Sequence, residues 1–233
     1  SEQMLLCDVD HENNEVFNVP FFTGAHEVAH YWWGHRVDPA NVAGSRFITE
    51  GMADYLAIKI TEQEYGPEFS REVLKLFQEL YLRDRARKAD EVPLVLAGLE
   101  QKYLNYRKSS IAFNSLSHYL GEANFNQAVA AFEERYRFAP PPFATSYDFV
   151  AALREVTPDS LRYLIEDYFE NITLYDNSLG EVRIETLPEG GFQAQVPLLI
   201  SKYRSDAKGT KTFTDDKGRN LQKEHTKSMP LTE

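Results

Sequence analysis

Cys7 is the only cysteine in these 233 residues, so no intramolecular disulfide can form and cysteine usage leaves the redox compartment undetermined. Basic charge is scarce as well: 25 Lys and Arg stand against 36 Asp and Glu, a formal net charge of -11. With no basic cluster able to neutralise a run of phosphates, nucleic acid is excluded as an expected partner. No uninterrupted apolar stretch reaches membrane-spanning length, and the first residues lack a basic-then-apolar leader pattern, so the chain reads as a soluble piece. Internal repeats are not apparent. The length still suffices to bury a proper core, as one large domain or one domain with an appendage.

What is present is concentrated in His26-Glu27-Val28-Ala29-His30, followed by Tyr31-Trp32-Trp33-Gly34-His35 and, at a distance, Thr49-Glu50-Gly51. Residues four apart share a helix face, so His26 and His30 can offer imidazole nitrogens to one ion with Glu27 beside them. Neutral imidazoles suit Zn²⁺, and a catalytic zinc takes three protein ligands and leaves a fourth position for water. Glu50 is the natural third ligand, carried on a second helix that starts near Phe47. Apolar periodicity through Phe21, Phe22, Ala25, Val28, Ala29 and Trp32, with no proline from Thr23 to Val37, predicts a zinc helix from about Phe22 to Val37. Asp54, one turn after Glu50, fits two readings: an acceptor for the other ring N–H of a ligand histidine, or a solvated aspartate. His35 falls at the wrong offset for the HExxHxxGxxH pattern and is expected near the site or on the surface, not as a ligand. His11, His118 and His225 stand outside any metal-like spacing.

Along the chain, Ser1 to Val19 is polar and acidic and begins abruptly, like a segment cut from something longer. Its acidic cluster lacks the spacing of a calcium loop and reads as a solvated lead-in. After the zinc helix, Asp38-Pro39 is a break and the Glu50 helix extends to about Tyr65. Further helices are expected over Glu68 to Lys88, Tyr106 to Leu120, Phe125 to Tyr136, Tyr147 to Val156 and Asp159 to Phe169. From Ile172 the period changes to alternation around Glu189-Gly190-Gly191, which predicts a hairpin. The tail from Ser205 is polar and lysine-rich, an incomplete β-domain or a disordered segment. The expected fold is therefore mainly α (α+β). It comprises a lead-in over 1–20, a helical zincin-type catalytic subdomain over 21–176, and a short, incomplete β segment with its tail over 177–233.

The run from His26 to Gly34, together with Thr49-Glu50-Gly51-Met52-Ala53, resembles the aminopeptidase N and leukotriene A4 hydrolase family, zinc peptidases of the gluzincin clan. Tyr106-Arg107-Lys108-Ser109 matches that family's downstream signature. Trp32-Trp33-Gly34-His35 and the spacing to Glu50 look closer still to the peptidase-like domains fused to bacterial ABC transporter permeases. The resemblance implies a zinc metallopeptidase acting on peptide substrates, with His26, His30 and Glu50 as metal ligands, Glu27 as general base and Tyr106 as oxyanion donor. It also implies a soluble domain of a membrane-anchored bacterial protein, on a side of the membrane left open. Two departures stand out: nineteen residues, Tyr31 to Thr49, separate His30 from Glu50 where the family has eighteen, and Thr49 replaces the usual asparagine. The family's GxMEN-type strand, which holds the substrate's amino group, is not in this chain, so the isolated fragment is expected to be a poor aminopeptidase. The alternative function is a catalytically weak or inactive zinc-binding regulatory domain of a transporter protein.

Overall fold

In the computed structural model of the chain, residues 18–88, 90–187, 190–207, 210–213 and 223–231 are described, with only the backbone described at 212–213 and 223–231. Cys7, His11, the acidic lead-in through Phe17, Glu189 and tail residues 214–222 lie outside them, and the side chain of His225 does too. The chain divides into two compact units, Ser1–Glu170 and Asn171–Glu233. The first is helical and the second is a β-sheet, so the class is mainly α (α+β). No helix among the described residues is long and apolar enough to cross a membrane.

The helical unit opens with α1 (Val19–Ala29), started by Asn18, whose side chain accepts the Phe21 N–H at 3.0 Å. This helix ends eight residues before the expected Val37. Two features override the apolar periodicity. Trp33 turns into the core, 6.4 Å from the Phe132 ring and 5.9 Å from Phe149. Gly34 then takes φ +122, a conformation open to glycine, and its N–H reaches the Val37 carbonyl at 2.9 Å. The apolar residues from Trp33 to Val37 thus face inward from a turn, not from a helix.

Next come α2 (Ser45–Tyr65) and α3 (Pro67–Lys88), separated by Gly66. Every α2 residue from Phe47 to Tyr55 is buried, two carboxylates included. A helix buried all round at that level belongs at the centre of its unit, and its carboxylates must find partners. Phe47 meets Phe113, Phe149 and Phe169 with ring centroids at 5.8, 6.0 and 6.0 Å, each a fully buried side chain contributing about 1.5–3 kcal/mol of transfer free energy. Gly51 lets α2 pass close to the following helical segment: a Cβ there would lie 2.7 Å from the Ser109 Cβ.

That segment begins with a wide π-helical turn, Tyr103–Lys108, which runs into α4 (Ser109–Leu120). Then follow α5 (Glu122–Tyr136) and α6 (Ser146–Val156), the latter opened by a capping box between Thr145 and Asp148. The expected single helix over Asp159 to Phe169 is three short pieces: a 3₁₀ turn at Asp159–Leu161, α7 (Arg162–Ile165) and a second π turn, Glu166–Glu170.

In the second unit, β3 (Phe192–Ser205) is the shared strand. It pairs antiparallel with β1 (Ile172–Leu179), with β2 (Arg183–Thr186) through the expected hairpin, with β4 (Lys211–Phe213) and with β5 (Lys223–Leu231). Of the two expectations for the tail, residues 211–213 and 223–231 follow the β one.

Candidate metal centre

His26 lies in the last turn of α1, and His30 is its C-terminal cap with φ -61 and ψ -18. Because the cap is still right-handed helical, the four-residue spacing holds although the helix stops there. The two Nε2 atoms come within 3.0 Å of each other. From the buried face of α2, Glu50 brings Oε2 to 3.2 Å from His30 Nε2 and 3.5 Å from His26 Nε2. Donors that bond one zinc tetrahedrally at about 2.0–2.1 Å lie about 3.3 Å apart, so this donor set fits such an ion in both chemistry and spacing. These three residues form a group that could hold a metal.

Each remaining atom of the group is anchored. His26 Nδ1 donates to Asp54 Oδ1 at 2.8 Å, and His30 Nδ1 donates to the Trp33 carbonyl at 2.9 Å, which turns both Nε2 lone pairs toward Glu50. The turn that ends α1 early therefore supplies the acceptor that orients His30. Asp54 is 2 % exposed, so it is the orienting carboxylate of the two readings, not the solvated one. Its Oδ2 lies 3.4 Å from Arg107, whose guanidinium sits 4.2 Å over the Phe77 ring. Glu50 Oε1 accepts from Arg46 Nη1 at 2.8 Å, leaving Oε2 to the histidines.

Charge at the site is shaped to receive a cation. Burial works against a charged His26, but hydrogen bonds to Asp54 and Glu50 and their negative charge outweigh it and raise its pKa to about 9. For His30 the hydrogen bond to Glu50 prevails over burial, and its pKa also rises. Burial disfavours the Glu50 carboxylate, yet its interactions with the neighbouring His26, His30 and Tyr106 side chains hold its pKa well below the usual carboxylate range. A field that favours a proton between these donors favours a metal cation for the same reason.

Tyr106 stacks on His26 with centroids 6.0 Å apart; burial and the neighbouring Glu50 charge raise its phenol pKa. It is carried by the π turn, which is fastened on both sides: Tyr103 donates to Asp90 at 2.8 Å, and buried Lys108 donates to Glu91. Glu91 is itself buried, and it also accepts from Tyr81 at 2.8 Å and from Arg85. Glu27 follows His26 directly, is exposed, and has no hydrogen bond or ion pair with the described residues. His35 and His118 are exposed and lie outside the group. Arg46 and Arg107 are the site residues that sequence reasoning missed. For Arg46 the signal was its position four before Glu50 on one helix. Arg107 falls within the Tyr106-Arg107-Lys108-Ser109 match, but for its contact with Asp54, 53 residues away, the sequence carries no signal.

Clefts open on both sides of the donor group. One of about 400 Å³ is polar, lined by His30, Asp38, Asn41, Arg46, Thr49 and Glu50 among others. The other, about 290 Å³, is mostly apolar, with Val19, Phe22, Leu76, Phe77 and Leu80 beside His26 and Tyr106. In comparisons with known proteins, the family described as the peptidase family M1 domain matches residues 1–168. No curated protein matches the chain.

Proposed function

The chain belongs to peptidase family M1, and from that premise we propose that it is a zinc-dependent metallopeptidase, aminopeptidase-like, that hydrolyses peptide bonds at the His26, His30 and Glu50 group. The observation that carries the reading is the convergence of two imidazole Nε2 atoms and one carboxylate oxygen within 3.5 Å of one another, with both Nδ1 atoms spent elsewhere. His26, His30 and Glu50 would hold the zinc ion, which would supply Lewis acidity toward the scissile carbonyl and the attacking water.

The remaining chemistry falls to side chains. Glu27 takes the water's proton and returns it to the leaving amine; its carboxylate, beside His26 and otherwise uncommitted, suits that shuttle. The Tyr106 phenol keeps its proton at neutral pH and donates to the developing oxyanion. Asp54 and the Trp33 carbonyl hold the imidazoles in position, and the apolar cleft beside Tyr106 receives an apolar substrate side chain. The likeness of Trp32-Trp33-Gly34-His35 to permease-fused domains supports one further part of the proposal, that the domain serves a membrane-anchored bacterial transporter protein.

The test is a peptide panel with zinc occupancy measured in parallel. Wild type should hydrolyse some members. Glu27→Gln should keep its zinc and lose on the order of 10²–10⁴ in kcat, because an amide cannot accept the proton. Tyr106→Phe should likewise keep zinc and lose on the order of 10² or more. Full zinc with no hydrolysis of any peptide by wild type would instead support the regulatory reading.

A further inference from the structure

Two charged groups of the polar cleft, Asp38 and Arg46, are not used by the proposed reaction, and of these only Arg46 is cationic. It stands a turn before Glu50 on α2 and is tied to Oε1 of that residue through Nη1 alone, at 2.8 Å. Its side chain remains 51 % exposed, and its other guanidinium donors have no partner among the described residues. A guanidinium presents five N–H donors in a rigid planar fork, and the free part of this one borders a cleft of about 400 Å³ that also contains His30 and Glu50. The second cleft, on the His26 and Tyr106 side, is apolar, and its own guanidinium, Arg107, is already engaged by Asp54 and Phe77. The donor group thus lies between an apolar recess and a recess with an under-used guanidinium.

We propose that Arg46 is a specificity residue that binds a carboxylate of the substrate, so that the cleaved bond lies between an apolar residue and an anionic one. The proposal rests on the peptidase reading for its reaction, though not for its binding step. Glu50 fixes one edge of the guanidinium and thereby its orientation, and the remaining edge is left to pair with a carboxylate, the partner its fork matches best. The anion is either the free C-terminal carboxylate of a short peptide or an acidic side chain next to the cleaved bond. The two share this chemistry and differ in experiment.

Binding is measured by calorimetry on the zinc-loaded Glu27→Gln protein, which holds substrate without turnover, so the result does not depend on hydrolysis. The probes are phenylalanyl-alanine, its C-terminal amide, and the amides of phenylalanyl-glutamate and phenylalanyl-glutamine. In at least one of two comparisons, phenylalanyl-alanine against its amide and the glutamate amide against the glutamine amide, the carboxylate form should bind about tenfold more tightly. Adding Arg46→Met should bring the two together, whereas Arg46→Lys, a point charge without the fork, should keep part of the difference. If the source is the C-terminal carboxylate, the advantage lies in the first comparison and the glutamate and glutamine amides bind alike; if it is the side chain, it lies in the second and phenylalanyl-alanine binds like its amide. Circular dichroism and zinc content unchanged from the parent verify that each variant is folded. Equal affinities in both comparisons, no binding of any probe, or a preference that survives Arg46→Met would each overturn the proposal; the last would assign the anion to the metal.

Discussion

Glu91→Leu should be among the most damaging single substitutions in the helical unit, although residue 91 touches none of the metal-binding atoms. Lys108 is buried at 9 % exposure, and Glu91 is the sole acceptor its ammonium meets among the described residues. Burial already pulls the Lys108 pKa down against the support of that partner. Removing one member of a buried pair typically costs about 3–5 kcal/mol, because the other charge is left without compensation. Tyr81 loses its acceptor too, whereas Arg85, with a quarter of its side chain exposed, can turn to solvent. In a unit of this size each kcal/mol shifts the melting temperature by about 2–4 °C, so the midpoint should fall on the order of 10 °C. Replacing both partners, Glu91→Leu with Lys108→Met, should recover much of the loss, since an apolar pair of similar volume is often as stable as the ions it replaces. The assay is thermal unfolding followed by circular dichroism for wild type, both single variants and the double, read as a double-mutant cycle. A Glu91→Leu protein that melts within about 2 °C of wild type, or a double variant no better than the worse single, would refute the reasoning.

Two further substitutions address the donor group. His30→Ala leaves two ligands and should reduce bound zinc from about one ion per chain to near none, as measured by elemental analysis after gel filtration. Asp54→Asn keeps the shape but removes the negative charge that faces His26 Nδ1, and should weaken zinc binding about 10–100-fold in competition with a chelator, at unchanged helical content.

The parts of this site legible in the sequence are those that obey one helix's periodicity. His26 and His30 needed only a four-residue spacing, and Glu50 with Asp54 repeats the same spacing on α2. Local rules extended the zinc helix too far because apolar periodicity is blind to which element buries an aromatic. Trp33 is apolar for the sake of Phe132 and Phe149, more than ninety residues away, and its carbonyl orients His30. Glu91 and Arg107 were silent for a related reason. A buried ion pair across 17 residues, or a guanidinium held by an aspartate across 53, leaves no mark in composition or period.

The wide turn at Tyr103–Lys108 has a consequence for how the unit could change. A π turn is an α-helix with one residue too many, and each surplus residue offsets everything before it by about 100° in angular phase. The core face of α4, where Ala112, Phe113 and Leu116 are buried, and the face that presents Tyr106 to the donor group are therefore indexed separately on one continuous helix. Loss of the Arg107 codon, between Tyr106 and α4, would close the turn into a plain α-helix. The backbone would remain fully hydrogen-bonded and α4 would keep its seat, while the phenol swung away from Glu50. One small deletion would switch off this corner of the site and leave the metal ligands in place.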